Sequence, residues 1–224
     1  WKKMAKQIAH EIKNPLTPMR LNIQYLKKSF DDGKGKGLYS DEWGQKLAEF
    51  STTMIQQIDT LTRIANAFSD FASLDAQSIE KVCMQSEVTR IINLFKNNNV
   101  RLITEGLPPN PVYIFIDKSH LTRVLNNLIK NSIQAERPGV PIEVIVELRS
   151  NKKSCTILIK DNGTGIPKEI QEKVFEPNFT TKNSGMGLGL AMVKKIIDDF
   201  KGKISYSTSP RGTVFKIDIP IQPA

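Results

Sequence analysis

The chain has 224 residues, room for one large or two small domains with a sizeable core in at least one. Apolar residues make up 39% and charged residues 25%, the balance of a globular protein, and no apolar run approaches the roughly 18 residues that cross a bilayer. The formal net charge is +9, but the basic residues are scattered, with no run longer than pairs such as Lys2-Lys3 or Lys152-Lys153. That argues against a nucleic-acid partner and leaves a polyanion as small as a nucleotide.

From Met4 the apolar residues Ile8, Ile12, Leu16, Met19, Ile23, Leu26 and Phe30 recur at spacings of four and three, a coiled-coil-like stripe. Pro15 and Pro18 interrupt it without breaking its phase, which predicts one continuous helix, bent near Pro15. His10, one of two histidines in the chain, is followed by Glu11 and, one helical turn on, by Asn14. Imidazole is a nucleophile near neutral pH, a carboxylate takes up a proton, and an amide orients water. Taken alone, this stretch reads more readily as an ordinary surface or core histidine on a helix.

Asp31 to Ser40 is glycine-rich and predicts a turn. A second stripe follows, Trp43, Leu47, Phe50, Met54, Ile58, Leu61, Ile64, Phe68 and Phe71. A lone hairpin of two helices cannot bury both stripes, so the pattern predicts a homodimer in which residues 1–76 form a four-helix bundle. Periodicity is lost from Ala72 to Glu80, the expected linker to a second domain, residues 77–224.

In that domain the pattern predicts a short strand at Val82–Met84, a helix at Glu87–Asn97 and strands at Val100–Thr104 and Val112–Ile116. A helix is expected over Lys118–Ala135, paired strands at Ile142–Leu148 and Cys155–Ile159, and a helix at Leu188–Phe200. A last hairpin is expected, Lys203–Ser207 with Thr213–Ile219. Helices on one face of a mixed sheet, an α/β sandwich, is the natural packing. His120, near the start of the Lys118–Ala135 helix, reads as a surface or capping residue. Cys83 and Cys155 have no metal-ligand or redox spacing and read as reduced thiols of a cytosolic protein. Because the chain is already in helical pattern at Trp1, it is read as a fragment lacking an upstream sensor or membrane segment.

Four short motifs carry chemistry. Asn127 and Asn131 stand one turn apart on a helix, flanking Lys130, and offer amide oxygen to a hydrated Mg²⁺ and amide nitrogen to phosphate. Asp161-Asn162-Gly163-Thr164-Gly165-Ile166 follows an apolar strand, where a carboxylate can accept from an exocyclic amine such as that of adenine. Phe175 to Lys182, including Thr181, lies in a stretch from about Ile166 to Met186 that reads as a structureless lid. Gly185-Met186-Gly187-Leu188-Gly189 runs into a helix, whose N-terminal amides and dipole favour phosphate. Its GxGxG spacing fits neither a dinucleotide fingerprint nor a P-loop.

In this order and spacing the motifs resemble the sensor histidine kinases of two-component systems, whose catalytic domain is grouped with the gyrase, Hsp90 and MutL ATPases. The resemblance covers nearly the whole chain. Ile8 to Pro18 looks like the H-box, Asn127 to Asn131 the N-box and Asp161 to Ile166 the G1 box. Phe175 to Lys182 looks like the F-box and Gly185 to Leu190 the G2 box, and Gly212-Thr213 is similar to the final glycine–threonine motif. The wording of the H-box is most similar to the nitrogen-regulation kinases of the NtrY type.

The resemblance implies a Bergerat-type ATP-binding fold with ATP and Mg²⁺ as its cofactors. It makes Asn131 the metal ligand, supported by Asn127, Asp161 the reader of the adenine amino group, and Thr213 a second hold on the base. Gly163, Gly165, Gly185, Gly187 and Gly189 would let the backbone approach the nucleotide, with Ile166, Phe175, Thr181, Leu188 and the lysines Lys130 and Lys182 around it. His10 would attack the γ-phosphate with Glu11 as its base, and Asn14 would orient water to dephosphorylate a response-regulator receiver domain, the implied partner. The implied setting is the cytoplasmic portion of a membrane-anchored bacterial receptor.

Two rival readings compete with this one. Hydrolytic relatives carry a glutamate four residues before the metal-binding asparagine; here that residue is Asn127. A nucleotide-binding scaffold without kinase activity would be expected to lack His10, Glu11, Asn131 or the glycines, and all are present. One departure from the family pattern is Gln134, where many members have a basic residue; Lys130 or Lys182 would then serve the phosphates.

Overall fold

The computed structural model describes residues 2–32, 41–72, 78–176 and 187–221. These fall into two compact units, one holding the two long helices and the other everything from Ser78 on. The expected domain boundary at 76/77, the turn at residues 33–40 and much of the lid lie outside the described residues. No helix among the described residues is long and apolar enough to cross a membrane.

In the first unit α1 (Lys2–Asp32) packs on α2 (Asp41–Ala72). Helix α1 runs unbroken through Pro15 and Pro18. Each proline lacks an amide hydrogen, so the carbonyls of Glu11 and Asn14 lose their usual donor. Pro15 is itself buried, and the Thr17 hydroxyl donates to the Lys13 carbonyl at 2.9 Å. Met19 and Ile64 are buried, whereas Ile12, Leu16, Ile23, Leu47 and Ile58 remain exposed. One hairpin therefore leaves much of its apolar stripe open.

The second unit holds two sheets. Strands β1 (Glu80–Cys83) and β3 (Tyr113–Ile116) form an antiparallel pair. Five strands form the main sheet in the order β2 (Val100–Gly106), β4 (Val144–Ser150), β5 (Ser154–Asp161), β7 (Gly212–Pro220) and β6 (Lys203–Ser209). The β2–β4 pair is parallel and the others antiparallel, as a mixed sheet requires. Alternation sorts its faces. Val144, Val146 and Leu148 pair across to Asp161, Ile159 and Ile157, and the apolar members of this row are fully buried. With them pack the apolar faces of α3 (Met84–Ile92), α4 (Lys118–Ile133) and α5 (Gly189–Asp199).

The opposite face carries charge. Glu147 on β4 is paired with Arg149 and with Lys160, the latter at 2.6 Å, and Lys216 with Asp218 at 3.0 Å. Hydrogen bonds first from Arg149 and then from Lys160 hold the Glu147 carboxyl below the ordinary glutamate range, against the opposing effect of burial.

Three expectations are corrected. Helix α3 begins at Met84, not Glu87, because Met84 donates to the Val112 carbonyl while Gln85 accepts the Val112 amide, fixing the first turn against the approach to β3. The stretch expected to be structureless contains a 3-10 turn, Lys168–Lys173. Pro167 starts it with φ −55°, and Gln171 ties it to the Ile166 carbonyl and to the Tyr206 hydroxyl. His120 is not a surface residue: it is 1% exposed, its ring 6.5 Å from that of Phe200. Its backbone is capped rather than capping.

The cap is Asp117. One carboxylate oxygen accepts from the Ser119 amide (2.7 Å), the Ser119 hydroxyl (2.6 Å) and the His120 amide (3.1 Å). The other accepts from the amide of Ser78 at 2.6 Å. Burial alone would raise the pKa of this group, but Ser119, Ser78, the His120 amide and the nearby imidazole bring it down to about 2. A depressed folded pKa stabilises the fold above the unfolded value, near 3.9, and that contribution is lost as pH falls toward about 2. Asp117→Ala should cost about 1–2 kcal/mol in urea unfolding at neutral pH. The gap to the wild type should narrow between pH 4 and 2, and a gap independent of pH would contradict this account.

Candidate functional site

The polar groups converge where the apolar rows end. The register Lys160↔Val214 sets Asp161, the last residue of β5, beside Thr213 of β7, and Thr208 of β6 lies opposite Thr213. All three face the side of the sheet on which α4 packs. There the carboxylate of Asp161 accepts from the Thr213 amide and the Gly163 amide, both at 3.0 Å, on one oxygen. The other oxygen accepts from the hydroxyl of Ser132, in the last turn of α4, at 3.1 Å. A carboxylate oxygen offers about two lone-pair directions. Among the described residues the first oxygen carries two donors and the second only one, which leaves the second the more open to an incoming donor.

The turn after β5 is pressed against the protein. The Thr164 amide donates to the Ala135 carbonyl at 2.8 Å, and a Cβ on Gly163 would overlap that carbonyl. At Gly165 φ is +75° and a Cβ would overlap the Ser209 carbonyl; at Gly212 φ is +137° and it would overlap the Asp161 carbonyl. The Ile166 amide donates to the Thr208 hydroxyl at 2.9 Å. Thr208 in turn lies 3.1 Å from the hydroxyl of Thr213, which is 3% exposed.

Helix α4 presents Asn127 and Asn131, both half-buried, and an exposed Lys130. The Asn127 amide nitrogen donates to the Arg123 carbonyl, and its oxygen lies where a Cβ on Gly189 would come within 2.7 Å. Gly189 thus lets α5 begin against α4. Among the described residues helix α5 has no side-chain cap and no acidic residue in its first turn, a start whose amides and dipole suit an anion. Leu188 before it is buried, and Gly187 has φ +63°. Phe175 stacks edge-on against Tyr206 at 5.9 Å, and Tyr206 lies 6.0 Å from Phe215, anchoring the chain before the lid.

Thr181, Lys182 and Gly185 lie outside the described residues. His10 and Glu11 lie on α1, as expected, but their side chains are also outside the description; Asn14 is exposed one turn further on. Among the described residues no cluster of His, Cys, Asp or Glu could hold a metal ion. The amide oxygens on α4 suit a hard cation that keeps its waters and takes its remaining ligands from phosphate, which is the habit of Mg²⁺ rather than of zinc.

Ser132 and Thr208 were not singled out from sequence. A signal existed for each: Ser132 continues the buried row Leu121, Leu125, Leu128 of α4, and the tight hairpin from Ser209 to Gly212 sets Thr208 opposite Thr213.

Two family descriptions match the chain: "His Kinase A (phospho-acceptor) domain" over residues 1–77 and "Histidine kinase-, DNA gyrase B-, and HSP90-like ATPase" over residues 116–223. The nitrogen regulation protein NtrY of Azorhizobium caulinodans is 30% identical over 217 residues, covering 95% of this chain and 27% of that protein. The sensory histidine kinase/phosphatase NtrB of Escherichia coli O157:H7 is 29% identical over 232 residues, covering 98% of this chain and 62% of that one. The chain thus spans less than two thirds of these relatives' lengths. Among solved structures, histidine kinase ThkA in complex with the response regulator TrrA shares the fold at a TM-score of 0.66. It is 24% identical and covers 99% of this chain and 62% of that chain.

Two glycines separate strain from crowding. Gly165 and Gly139 share φ +75°, but a Cβ on Gly139 meets nothing within 4 Å. Gly165→Ala should cost about 2–3 kcal/mol by thermal unfolding and Gly139→Ala about 1. Equal losses would mean that backbone conformation alone, not the contact with Ser209, dictates glycine at 165.

Proposed function

The chain belongs to the sensor histidine kinases, a phospho-acceptor domain followed by an ATPase domain, and on that premise we propose that it phosphorylates itself on His10 at the expense of ATP. It then passes the phosphoryl group to an aspartate of a response-regulator receiver domain. The observation that carries the reading is the Asp161 carboxylate, held by Ser132, Gly163 and Thr213 with one oxygen the more open to a further donor. That oxygen suits the exocyclic amine of adenine.

With the base there, Asn131 and the start of α5 are the groups for the triphosphate, joined by Lys130 on α4 and by Thr181 and Lys182 from the lid. Asn131, supported by Asn127, would hold Mg²⁺, which when bound supplies charge neutralisation across the phosphates. An imidazole nitrogen of His10 forms a bond to the γ-phosphorus as the bond to the bridging oxygen breaks and ADP leaves. Glu11 takes the proton that the ring gives up. Phosphoryl transfer asks mainly for positioning and charge stabilisation, so a domain that delivers ATP to His10 supplies most of the catalysis.

The exposed apolar residues of α1 and α2 fit a homodimer closed into a four-helix bundle. The receiver partner is supported by the solved neighbour in complex with its response regulator. Asn14, exposed one turn from His10, would orient water for hydrolysis of the phosphorylated receiver aspartate, the phosphatase reaction. The greater length of the relatives fits a sensor segment before residue 1, and with it a membrane-anchored receptor of which this is the cytoplasmic portion.

Incubation with γ-labelled ATP and Mg²⁺ should give acid-labile, base-stable label that His10→Gln abolishes; label surviving that change would sink the mechanism. Asp161→Asn should also abolish it while leaving the fold intact. Its one remaining oxygen is claimed by the two amides, and an NH₂ then faces the base. Sedimentation should show twice the chain mass, and a monomer at micromolar concentration would refute the bundle.

A further inference from the structure

Thr208, on β6, has one hydroxyl proton. Its oxygen already accepts the Ile166 amide at 2.9 Å. Among the described residues the proton has two destinations, the Thr213 hydroxyl at 3.1 Å and the Gly212 carbonyl at 3.5 Å. Either hydroxyl can donate across the shorter, Thr208–Thr213 contact; the arrangement that matters here is the one in which Thr208 donates and Thr213 accepts. In that arrangement the proton of Thr213 is released from this pair and points onward as a donor.

We propose that Thr208 is a positioning and specificity-determining residue for the nucleotide base, fixing the Thr213 hydroxyl as a hydrogen-bond donor. The inference rests on the reading of Asp161 and Thr213 as the base-binding pair. Asp161 presents an acceptor, and Thr213, set by Thr208, presents a donor beside it, acting directly or across one water. Adenine offers the complement: an amino group that donates and a ring nitrogen, N1, that accepts. Guanine offers the inverse, a carbonyl that accepts and an N1–H that donates. Without Thr208, Thr213 can turn either way, and half of that discrimination is lost.

The test is a cycle between protein and ligand on the full chain with Mg²⁺, measuring the Kd of ATP, of 1-deaza-ATP, in which N1 is a C–H, and of GTP. Thr208→Val keeps the shape and removes the relay. It should weaken ATP about fivefold, the worth of one hydrogen bond, leave 1-deaza-ATP unchanged and narrow the preference for ATP over GTP. Thr208→Ser should restore ATP binding. Equal weakening of ATP and 1-deaza-ATP would mean that Thr208 acts only through the fold, and unchanged ATP binding would mean that it has no part in recognition; either overturns the proposal. If Thr208→Val fails to fold, Thr208→Cys, a weaker donor of similar size, is put through the same cycle, with the same selective loss expected and the same equal loss overturning it. Wild-type protein that binds ATP and 1-deaza-ATP equally well would overturn the proposal while leaving the nucleotide site standing. Wild-type protein that binds no ATP would remove the nucleotide reading itself.

Discussion

The arrangement of the second unit depends on one carboxylate. Asp161 ends the central strand of the sheet at the point where the buried apolar row gives way to polar groups. Three donors from three elements meet on it: Ser132 from α4, Gly163 from the turn that follows β5, and Thr213 from β7. A half-buried charge is costly unless it is hydrogen-bonded. Satisfying it fixes the end of the helix, the turn and the strand relative to one another. The more open oxygen is what remains after the structural demands have been met, and for that reason it is rigid.

The same economy recurs at the other end of α4. Asp117 satisfies the first amides of the helix and also the amide of Ser78, so α4 is anchored by a carboxylate at its start and reaches another at its finish. Asn127 and Asn131, which we propose for metal and phosphate, lie between these two fixed points. In the first unit the logic is reversed. Pro15 and Pro18 remove donors below His10, and much of the apolar stripe stays uncovered within a single chain. That unit is built to be completed by something else.

Much of this was legible in the sequence, because burial imposes periodicity. The stripes of α1 and α2, the alternation in β4 and β5 and the tight hairpin joining β6 to β7 all appear within a residue or two of their expected places. What was hidden depends on contacts between distant residues. The 3-10 turn at Lys168–Lys173 is stabilised by Gln171 and Tyr206, which no local pattern connects. His120 departs from the expected surface position because Phe200 comes from another element to cover it, whereas a polar residue in the first turn of a helix is usually exposed. Ser132 and Thr208 were passed over because a small hydroxyl residue looks like filler until its partner is known. Of the candidate site, the acid, the amides and the glycines were visible from spacing; the hydroxyls that orient them were not.

The tight glycines imply an uneven freedom to vary. At Asp117 the demand is for an acceptor on a side chain, and serine, threonine or asparagine could answer part of it, with neighbours adjusting in turn. At Gly163, Gly165 and Gly212 the obstacle is main-chain carbonyl, which every residue type supplies alike. No second substitution can move it aside. A lineage drifting through sequence space could rebuild the charged outer face of the sheet many times over and still find those three positions closed.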